Sequence, residues 1–426
     1  MEIVINPGFL KGVVKVPPSK SIMQRACAGA LLHHGTTNIF NPGYSEDDLA
    51  ALRIIEQLGA TILSQSSDKV VIYSEGIKPK AGCIDCGESG LATRMFTPIA
   101  ALANRKIRIE GKGTLPNRPM HSFEKVLPQL GIKLESFNGY VPFEVEGPLM
   151  ANDITIDGSE SSQFLTGLLF AFSYQAKHPV KVEVNNLRSK PYVDVTLQVL
   201  ELFSYQIKNR DYKTFLIVPP RLSTRKEIDI HIEGDWSSAA FWLVGAGLKG
   251  DVVVEGLCET SFQADKKIMD ILRAAGANLR FESGKTFVVK DKLHAFETDL
   301  TDAPDLFPVT AILAACCEGE SSIKGLHRLK HKESDREKSI MNMLQAFGVK
   351  TGIQDDHLKI EGVKKLKGGR IDGNRDHRIV MAAAIGATLA EDAITITDSE
   401  AVSKSYPEFF SHLASLGIHS EFKKTV

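Results

Sequence analysis

Cysteine is scarce in this chain, and features that mark several protein classes are missing. Six cysteines in 426 residues are too few for a disulfide-stapled scaffold. No apolar stretch approaches the roughly 18 residues of a membrane span, and the first residues lack the pattern of a secretory signal. The 51 basic and 52 acidic residues nearly cancel, so no net charge attracts nucleic acid or a membrane surface. We therefore expect a cytoplasmic monomer without nucleic-acid or membrane partners.

Cys83 and Cys86 form a Cys-x-x-Cys pair. This spacing occurs in redox motifs and in one half of zinc sites, but no second pair and no neighbouring histidine pair accompanies it. A structural role is favoured, and the redox and zinc interpretations stay open. Cys316 and Cys317 lie in an Ala-rich apolar run, which predicts small core residues.

Six copies of one pattern organise the chain. Each copy opens with a polar or small-residue loop, continues as an apolar helical run and ends in a short strand; the copies start at Ser19, Gly87, Gly158, Gly234, Asp302 and Gly373. A second helical segment follows each copy, and the period is roughly 70 residues, longer than in the common solenoids. The apolar runs carry few charges, which predicts helices buried on most sides. We interpret the chain as an α/β protein with two three-repeat halves and a boundary near Glu233.

Candidate ligand-binding residues lie in the loops that open the repeats. A helix N-terminus presents free N–H groups and a positive partial charge, and both favour anions. The segments concerned are residues 17–25, 87–94, 113–120, 159–163, 332–336, 376–378 and 404–407. Taken singly, each is also typical of an ordinary capped helix with solvated charges. Together, in a chain without net positive charge, they indicate a site for a phosphorylated ligand.

Nine short motifs occur in a fixed order along the chain: PSKSIMQRA, GESGLATR, NRPM, SSQ, SKPY, PD, KESDR, DHR and KSYP. They resemble the successive motifs of the 5-enolpyruvylshikimate-3-phosphate (EPSP) synthase family, and the resemblance covers essentially the whole chain. It implies two inside-out α/β barrels of the enolpyruvyl transferase type, each with three βαβαββ-like repeats. The expected domains are residues 17–232, which bind the acceptor, and residues 233–426 together with residues 1–16. The active site is expected in the cleft between these domains.

The resemblance implies a transferase of aromatic amino acid biosynthesis. It would move the enolpyruvyl group of phosphoenolpyruvate to the 5-hydroxyl of shikimate 3-phosphate by addition and elimination, releasing phosphate. The residues expected to bind phosphoenolpyruvate are Lys20, Gly90, Arg118, Gln163, Arg336, Arg378 and Lys404. The residues expected to bind shikimate 3-phosphate are Ser21, Arg25, Ser161, Ser162, Gln163, Ser189, Tyr192, Asp305 and Lys332.

Three residues are expected to be catalytic. Asp305 would accept the proton of the attacking hydroxyl, and Lys20 and Glu333 would exchange protons with the methylene carbon. Chemistry of this kind needs an acid, a base and cations for a phosphate and a carboxylate. We therefore expect no metal ion and no cofactor.

Four residues depart from the family's common pattern. Glu88 and Arg328 stand where the family commonly has Asn, Leu91 stands where it has Thr, and Pro18 where it has Gly. A carboxylate beside an anion site is unfavourable unless it pairs with a cation such as Arg94. These differences bear on the affinity for phosphoenolpyruvate and on the sensitivity to glyphosate, the family's inhibitor, more than on the reaction.

Other functions are less consistent with the residues. The sister UDP-N-acetylglucosamine enolpyruvyl transferases usually carry a reactive cysteine in the loop before their Arg-Pro motif, and residues 112–118 contain none. A non-catalytic phospho-metabolite-binding protein of this fold could dispense with Lys20, Asp305 or Glu333, and all three are present. A repeat scaffold for protein partners would need no ordered set of cations.

Overall fold

The computed structural model describes residues 1–220, 226–290, 292–330 and 332–423. The strands β1 to β24 are Glu2–Ile5, Leu10–Lys15, His34–Phe40, Thr61–Gln65, Lys69–Glu75, Cys83–Asp85, Lys106–Glu110, Lys133–Phe137, Tyr140–Glu146, Ile154–Asp157, Val180–Asn185, Ile207–Arg210, Thr214–Ile217, Glu227–His231, Gly250–Glu255, Ala277–Glu282, Lys285–Lys290, Glu297–Asp299, Glu320–Lys324, Thr351–Gln354, His357–Glu361, Gly369–Ile371, Ile394–Ile396 and Ser420–Lys423. The helices α1 to α12 are Lys20–Leu32, Glu46–Leu58, Gly90–Ala100, His121–Val126, Ser162–Gln175, Lys190–Leu202, Trp236–Lys249, Ile268–Ala274, Phe307–Ala315, Arg336–Ala346, His377–Ala387 and Phe409–Ser415. Among the residues described, no helix has the length and hydropathy of a membrane span.

In the described residues the strands form six four-stranded sheets on one plan. Their strand orders are β14-β3-β5-β4, β6-β7-β9-β8, β10-β11-β13-β12, β2-β15-β17-β16, β18-β19-β21-β20 and β22-β23-β1-β24. In each sheet the first two strands are parallel and the remaining neighbours are antiparallel, as in β10-β11-β13-β12. In four of these sheets a helix connects the parallel pair, for example α5 between β10 and β11, because parallel neighbours require a crossover. In the other two, the parallel pairs β14-β3 and β2-β15 join strands that are distant in the chain. The prediction of six βαβαββ-like repeats is confirmed.

The chain divides into two compact units. The N-terminal unit is Pro18–Glu233, and the C-terminal unit combines Met1–Pro17 with Gly234–Val426. β1 pairs with β23 and β24, and β2 pairs with β15, so the first two strands complete sheets of the C-terminal unit. Correspondingly, β14 pairs with β3 in the N-terminal unit. Each unit therefore contains three complete sheets.

The first helix of each repeat lies in the core of its unit. The helices α3, α9 and α11 are buried along their whole length, and α1, α5 and α7 over most of it. Contacts join α1, α3 and α5 in one unit and α7, α9 and α11 in the other. The sheets cover these helices with one face, so residues alternate between less and more buried along β5 and β9. Each unit is thus an inside-out α/β barrel, as predicted.

A glycine allows α3 and α5 to pack closely. A Cβ atom at Gly167 would lie 2.6 Å from the carbonyl oxygen of Met95 and 2.8 Å from that of Arg94. Both obstacles are backbone atoms, so the two helices would have to separate. We expect Gly167→Ala to lower the free energy of unfolding by about 1–3 kcal/mol, measured by urea denaturation followed by circular dichroism.

Gly247→Ala is the matched control, because Gly247 is also buried in a core helix. There a Cβ atom would meet side-chain carbons of Leu272 and Val288 at 3.4 and 3.6 Å, which is ordinary contact. Alanine has the higher helix propensity, so this change is expected to stabilise the protein by about 1 kcal/mol. Equal effects of the two substitutions would contradict the close-packing argument.

Candidate active site

Six predicted site residues lie at or just before helix starts, or at a helix end, in the C-terminal unit. They are Asp305 before α9, Lys332 and Glu333 before α10, Arg336 at the first position of α10, Arg378 at the second position of α11 and Lys404 at the end of the 3₁₀ helix Ser399–Lys404. The helices α9, α10 and α11 contact one another. Their loops therefore carry residues that are about 100 positions apart in the chain to one place.

Asp305 lies at the centre of the ion pairs that join these residues. Its carboxylate oxygens lie 2.9 Å from a guanidinium nitrogen of Arg336, 3.2 Å from Nζ of Lys332 and 3.3 Å from a nitrogen of Arg378. Burial opposes ionisation of Asp305, but Arg378, Lys332 and Arg336 outweigh it and hold its pKa well below the ordinary value. Burial also lowers the pKa of Lys332, with Asp305 acting in the opposite direction.

Arg336 is fully buried and contacts two further carboxylates. Its Nε and Nη2 atoms donate to the two oxygens of Asp376 at 2.9 and 3.2 Å, and Nη2 also donates to Glu333 at 2.6 Å. Glu333 in turn pairs with Lys404 at 3.5 Å. Burial lowers the pKa of Arg336, but Asp376, Glu333 and Asp305 outweigh this effect and raise it above its ordinary value. All six predicted residues of this unit thus belong to one network.

Asp376 is a member of the network that the site prediction does not include. It is fully buried, and its side chain caps α11 by accepting the backbone N–H of Arg378 at 3.0 Å. It also accepts the hydroxyl of Ser334 at 3.0 Å. The DHR motif indicates a cap at this position, but capping alone does not reveal that the same carboxylate reaches Arg336. With Asp376 counted, ion pairs join Lys332, Arg336, Arg378 and Lys404 to the carboxylates of Asp305, Glu333 and Asp376. Asp265 and Asp235 also act electrostatically on Arg378.

Lys20 and Ser21 open α1 in the N-terminal unit. The Nζ atom of Lys20 lies 2.8 Å from Oδ2 of Asp47, a buried residue in the first turn of α2. Asp47 is a second residue that the site prediction lacks. The sequence gives little indication of a site role for Asp47, because an acidic residue in the first turn of a helix is already explained by its favourable interaction with the helix dipole. The contact puts a carboxylate beside the lysine that we expect to be catalytic.

Arg25 is buried between α1 and α6. Its guanidinium donates to the hydroxyl of Thr196 at 2.9 Å and to the carbonyl oxygens of Ser21 at 2.7 Å and Tyr192 at 3.2 Å. Burial lowers its pKa to about 10. Tyr192 donates its backbone N–H to the carbonyl of Ser189, the left-handed N-cap of α6. Arg25 therefore orients the backbone at Ser21 and Tyr192, and Tyr192 in turn contacts Ser189; we expect all three to bind shikimate 3-phosphate.

Gly90 is the first residue of α3 and lies against Arg118. A Cβ atom at Gly90 would be 2.7 Å from the guanidinium carbon of Arg118. Ser89 caps the helix by accepting the N–H of Ala92 at 3.2 Å, and its hydroxyl donates to Gln24 of α1 at 3.1 Å. The absence of a side chain at position 90 therefore leaves the space in which the arginine lies.

The SSQ segment forms the start of α5. Ser161 is the N-cap and accepts the N–H of Gln163 at 3.2 Å, and Ser162 is buried at the first helical position. The side-chain oxygen of Gln163 accepts from Arg94 at 3.1 Å, and Arg94 also pairs with Glu160 at 3.5 Å. The predicted residues of the N-terminal unit thus form small groups at the starts of α1, α3, α5 and α6.

The burial of the cysteines favours structural roles for them. Cys86 is buried, Cys83 is partly exposed, and both are free thiols. Burial raises the pKa of Cys86 to about 12, so its thiol stays protonated and is a poor nucleophile. Cys317 is buried as predicted, whereas Cys316 is partly exposed. Within the described ranges no group of three or more His, Cys, Asp or Glu side chains is arranged to hold a metal ion.

Comparisons with known proteins identify the family of the chain. Residues 4–413 match the family model for EPSP synthase (3-phosphoshikimate 1-carboxyvinyltransferase). The 3-phosphoshikimate 1-carboxyvinyltransferase of Clostridium acetobutylicum is 36% identical over 419 residues, which are 97% of each chain. That of Clostridium novyi is 35% identical over 425 residues, covering 98% of this chain and 97% of the relative.

Solved structures share the fold over the full length. The EPSP synthase from Acinetobacter baumannii has a TM-score of 0.81 at 26% identity and covers 100% of both chains. The enolpyruvyl transferase NikO from Streptomyces tendae has a TM-score of 0.78 at 15% identity, covering 99% of this chain and 98% of that one. The fold and the family model together make the chain an enolpyruvyl transferase. Within that class, the chain belongs to the EPSP synthase family.

The buried charge of Arg336 is expected to depend on Asp376. In Asp376→Asn the amide keeps the shape of the carboxylate, but the guanidinium loses its bidentate anion. We expect the C-terminal unit to lose about 3 kcal/mol of unfolding free energy. Trp236 and Trp242, the two tryptophans of the chain, both lie in α7, so urea denaturation followed by tryptophan fluorescence reports on this unit.

Asp335→Asn is the matched control on the adjoining helix. Asp335 caps α10 and pairs with Lys338 at 3.7 Å, but its side chain is 41% exposed. A solvated pair contributes little, so the change is expected to stay within about 0.5 kcal/mol. An equal loss in both variants, or no loss in Asp376→Asn, would contradict the importance of the buried pair.

Proposed function

We propose that this chain transfers the enolpyruvyl group of phosphoenolpyruvate to the 5-hydroxyl of shikimate 3-phosphate and releases inorganic phosphate. The observation that carries the proposal is the network around Asp305, where the cations of Lys332, Arg336 and Arg378 all contact one carboxylate. Such a network attracts a small polyanion and places a base beside it. Membership of the EPSP synthase family supports the same reaction.

We assign phosphoenolpyruvate to Lys20, Gly90, Arg118, Gln163, Arg336, Arg378 and Lys404. The ligand carries a phosphate and a carboxylate, and the planar guanidinium of Arg binds either group through two hydrogen bonds. Because Arg336 already contacts three carboxylates, we expect the ligand to displace Glu333 from Nη2. The released Glu333 is then available for proton transfer.

We assign shikimate 3-phosphate to Ser21, Arg25, Ser161, Ser162, Gln163, Ser189, Tyr192, Asp305 and Lys332. The serines at the start of α5 offer hydroxyl groups and free backbone N–H groups to phosphate oxygens. Arg25 contributes by holding Ser21 and Tyr192 through their carbonyl oxygens. Lys332 lies beside Asp305, where the proposed reaction needs the 5-hydroxyl of the acceptor.

In the proposed mechanism Asp305 takes the proton of the 5-hydroxyl while the hydroxyl oxygen bonds to C2 of phosphoenolpyruvate. Lys20 or Glu333 protonates C3 in the same addition. The tetrahedral intermediate then loses phosphate, and C3 returns a proton, which restores the carbon–carbon double bond. In the free protein Arg378, Lys332 and Arg336 hold the pKa of Asp305 low despite its burial, which makes it a weak base. The negative charges of the substrates neutralise these cations and so make Asp305 more basic.

A phosphate-release assay tests the substrate pair. Purified protein treated with EDTA is given phosphoenolpyruvate with either shikimate 3-phosphate or UDP-N-acetylglucosamine, and inorganic phosphate is measured. We expect release with shikimate 3-phosphate and none with the UDP-sugar. Release with the UDP-sugar alone would assign the protein to the sister reaction, and no release with either would indicate a binding protein.

The role of Asp305 is examined in the same assay with a matched pair of variants. Asp305→Asn removes the base and is expected to lower kcat at least about 100-fold. Asp299→Asn is the control, because Asp299 lies six residues earlier and pairs with Lys324 on the exposed surface. A kcat of Asp305→Asn close to that of the control would remove Asp305 from the proposed mechanism.

We further propose that the chain works as a cytoplasmic monomer. All proposed substrate-binding residues are supplied by one chain, so the reaction needs no partner copy. Light scattering at micromolar concentration is expected to give a mass near 46.7 kDa. A mass near twice this value, unchanged on dilution, would contradict the proposal.

A further inference from the structure

The loop that carries Arg118 is attached to the turn before α3 at three successive points. We call residues 111–118 the Arg118 loop and residues 87–90 the Gly87 turn. Lys112 donates its backbone N–H to the carbonyl of Gly87 at 2.8 Å. Farther along, the guanidinium of Arg118 lies against Gly90, where a Cβ atom would come within 2.7 Å of it.

Glu88 makes the middle attachment. Its Oε2 atom accepts both the backbone N–H and the hydroxyl of Thr114, each at 3.1 Å. Gly113 has a φ of 59°, which glycine adopts without strain, and the space where its Cβ would lie is occupied by the Glu88 carboxyl group. The Arg118 loop therefore bends closely around this carboxylate.

The position of Thr114 determines the position of Arg118. Thr114 is the N-cap of the 3₁₀ turn Leu115–Asn117, and Arg118 is the residue at which this turn ends. The connection is short, it contains Pro116 with a restricted φ, and Leu115 is fully buried. A displacement of Thr114 would accordingly be passed on to the guanidinium.

We propose that Glu88 is a positioning residue that fixes the Arg118 loop through Thr114 and thereby sets where Arg118 meets phosphoenolpyruvate. The proposal rests on the proposed function, since Arg118 is assigned there to this substrate. It also gives a reason for a carboxylate beside an anion site: Oε2 is directed at two donors of the loop. The loop requires an acceptor oxygen at this point, and the negative charge of the carboxylate strengthens both hydrogen bonds.

The expected effect follows from the two hydrogen bonds. Bonds to an ionised acceptor contribute roughly 1.5–3 kcal/mol, and part of this energy keeps the loop ordered before the substrate binds. In Glu88→Ala we expect the KM for phosphoenolpyruvate to rise about tenfold, with kcat and the KM for shikimate 3-phosphate within about twofold. A general loss of folding would change all three constants.

Two further variants test whether the acceptor oxygen of residue 88 causes the change in KM, and not the substitution of any acidic residue in this unit. Glu88→Gln retains an oxygen that can accept both Thr114 donors, although as a neutral acceptor, so it is expected to recover part of the loss of Glu88→Ala. Asp153→Ala is the matched control: Asp153 accepts the backbone N–H of Lys181 at 2.7 Å, at the far end of β10 from the SSQ segment. This control is expected to keep the parent KM for phosphoenolpyruvate.

Hydrogen exchange of the Thr114 amide gives a readout that does not need turnover. The amide is expected to exchange faster in Glu88→Ala than in the parent protein and in Asp153→Ala. A parent KM in Glu88→Ala, an equal rise in both KM values, or no recovery in Glu88→Gln would each overturn the proposal. If the parent protein releases no phosphate, the proposed function fails and the role towards phosphoenolpyruvate fails with it. The exchange rates then decide separately whether Glu88 anchors the loop.

Discussion

The burial of the Arg336 charge is the constraint on which the C-terminal unit depends. A guanidinium that water does not reach must be neutralised by the protein, and Asp305, Glu333 and Asp376 do so at distances of 2.6 to 3.2 Å. These carboxylates belong to the starts of different helices, so neutralising one charge also fixes α9, α10 and α11 relative to each other. Asp376 contributes in two ways, because it pairs with Arg336 and also caps α11, the helix that carries Arg378. Structural support and the proposed chemistry therefore use the same side chains.

The N-terminal unit positions its residues by other means. Its core helices approach closely where glycine leaves space, as Gly167 does against the backbone of α3. Hydrogen bonds to carbonyl and hydroxyl groups then orient the helix starts, with Arg25 between α1 and α6 as the principal example. Fixed serine, glutamine and backbone donors suit an acceptor with many oxygen atoms, whereas the charged network of the other unit suits a small, highly charged anion.

Much of the fold could be predicted because repetition is visible in the chain. An apolar run with few charges indicates a buried helix wherever it lies, and six such runs at regular spacing led to the six repeats that the structure contains. The site predictions rested on motifs, and in the C-terminal unit these motifs do meet in one network. Asp47 and Asp376 were missed, since each has a sufficient local explanation as a helix-start residue. Their partners, Lys20 and Arg336, lie on other helices, and local pattern carries no information about such contacts.

The sequence by itself determined the α/β class and its six repeats, because periodicity and composition are local properties of the chain, and the resemblance of its ordered motifs indicated the family. Only the tertiary structure decided which charges face one another, that Arg25 is buried between two helices, and that Glu88 accepts two hydrogen bonds from Thr114. The physical reason is that burial and pairing depend on side chains from distant parts of the chain. The free energy of a charge is set by those neighbours and not by the residues next to it in sequence.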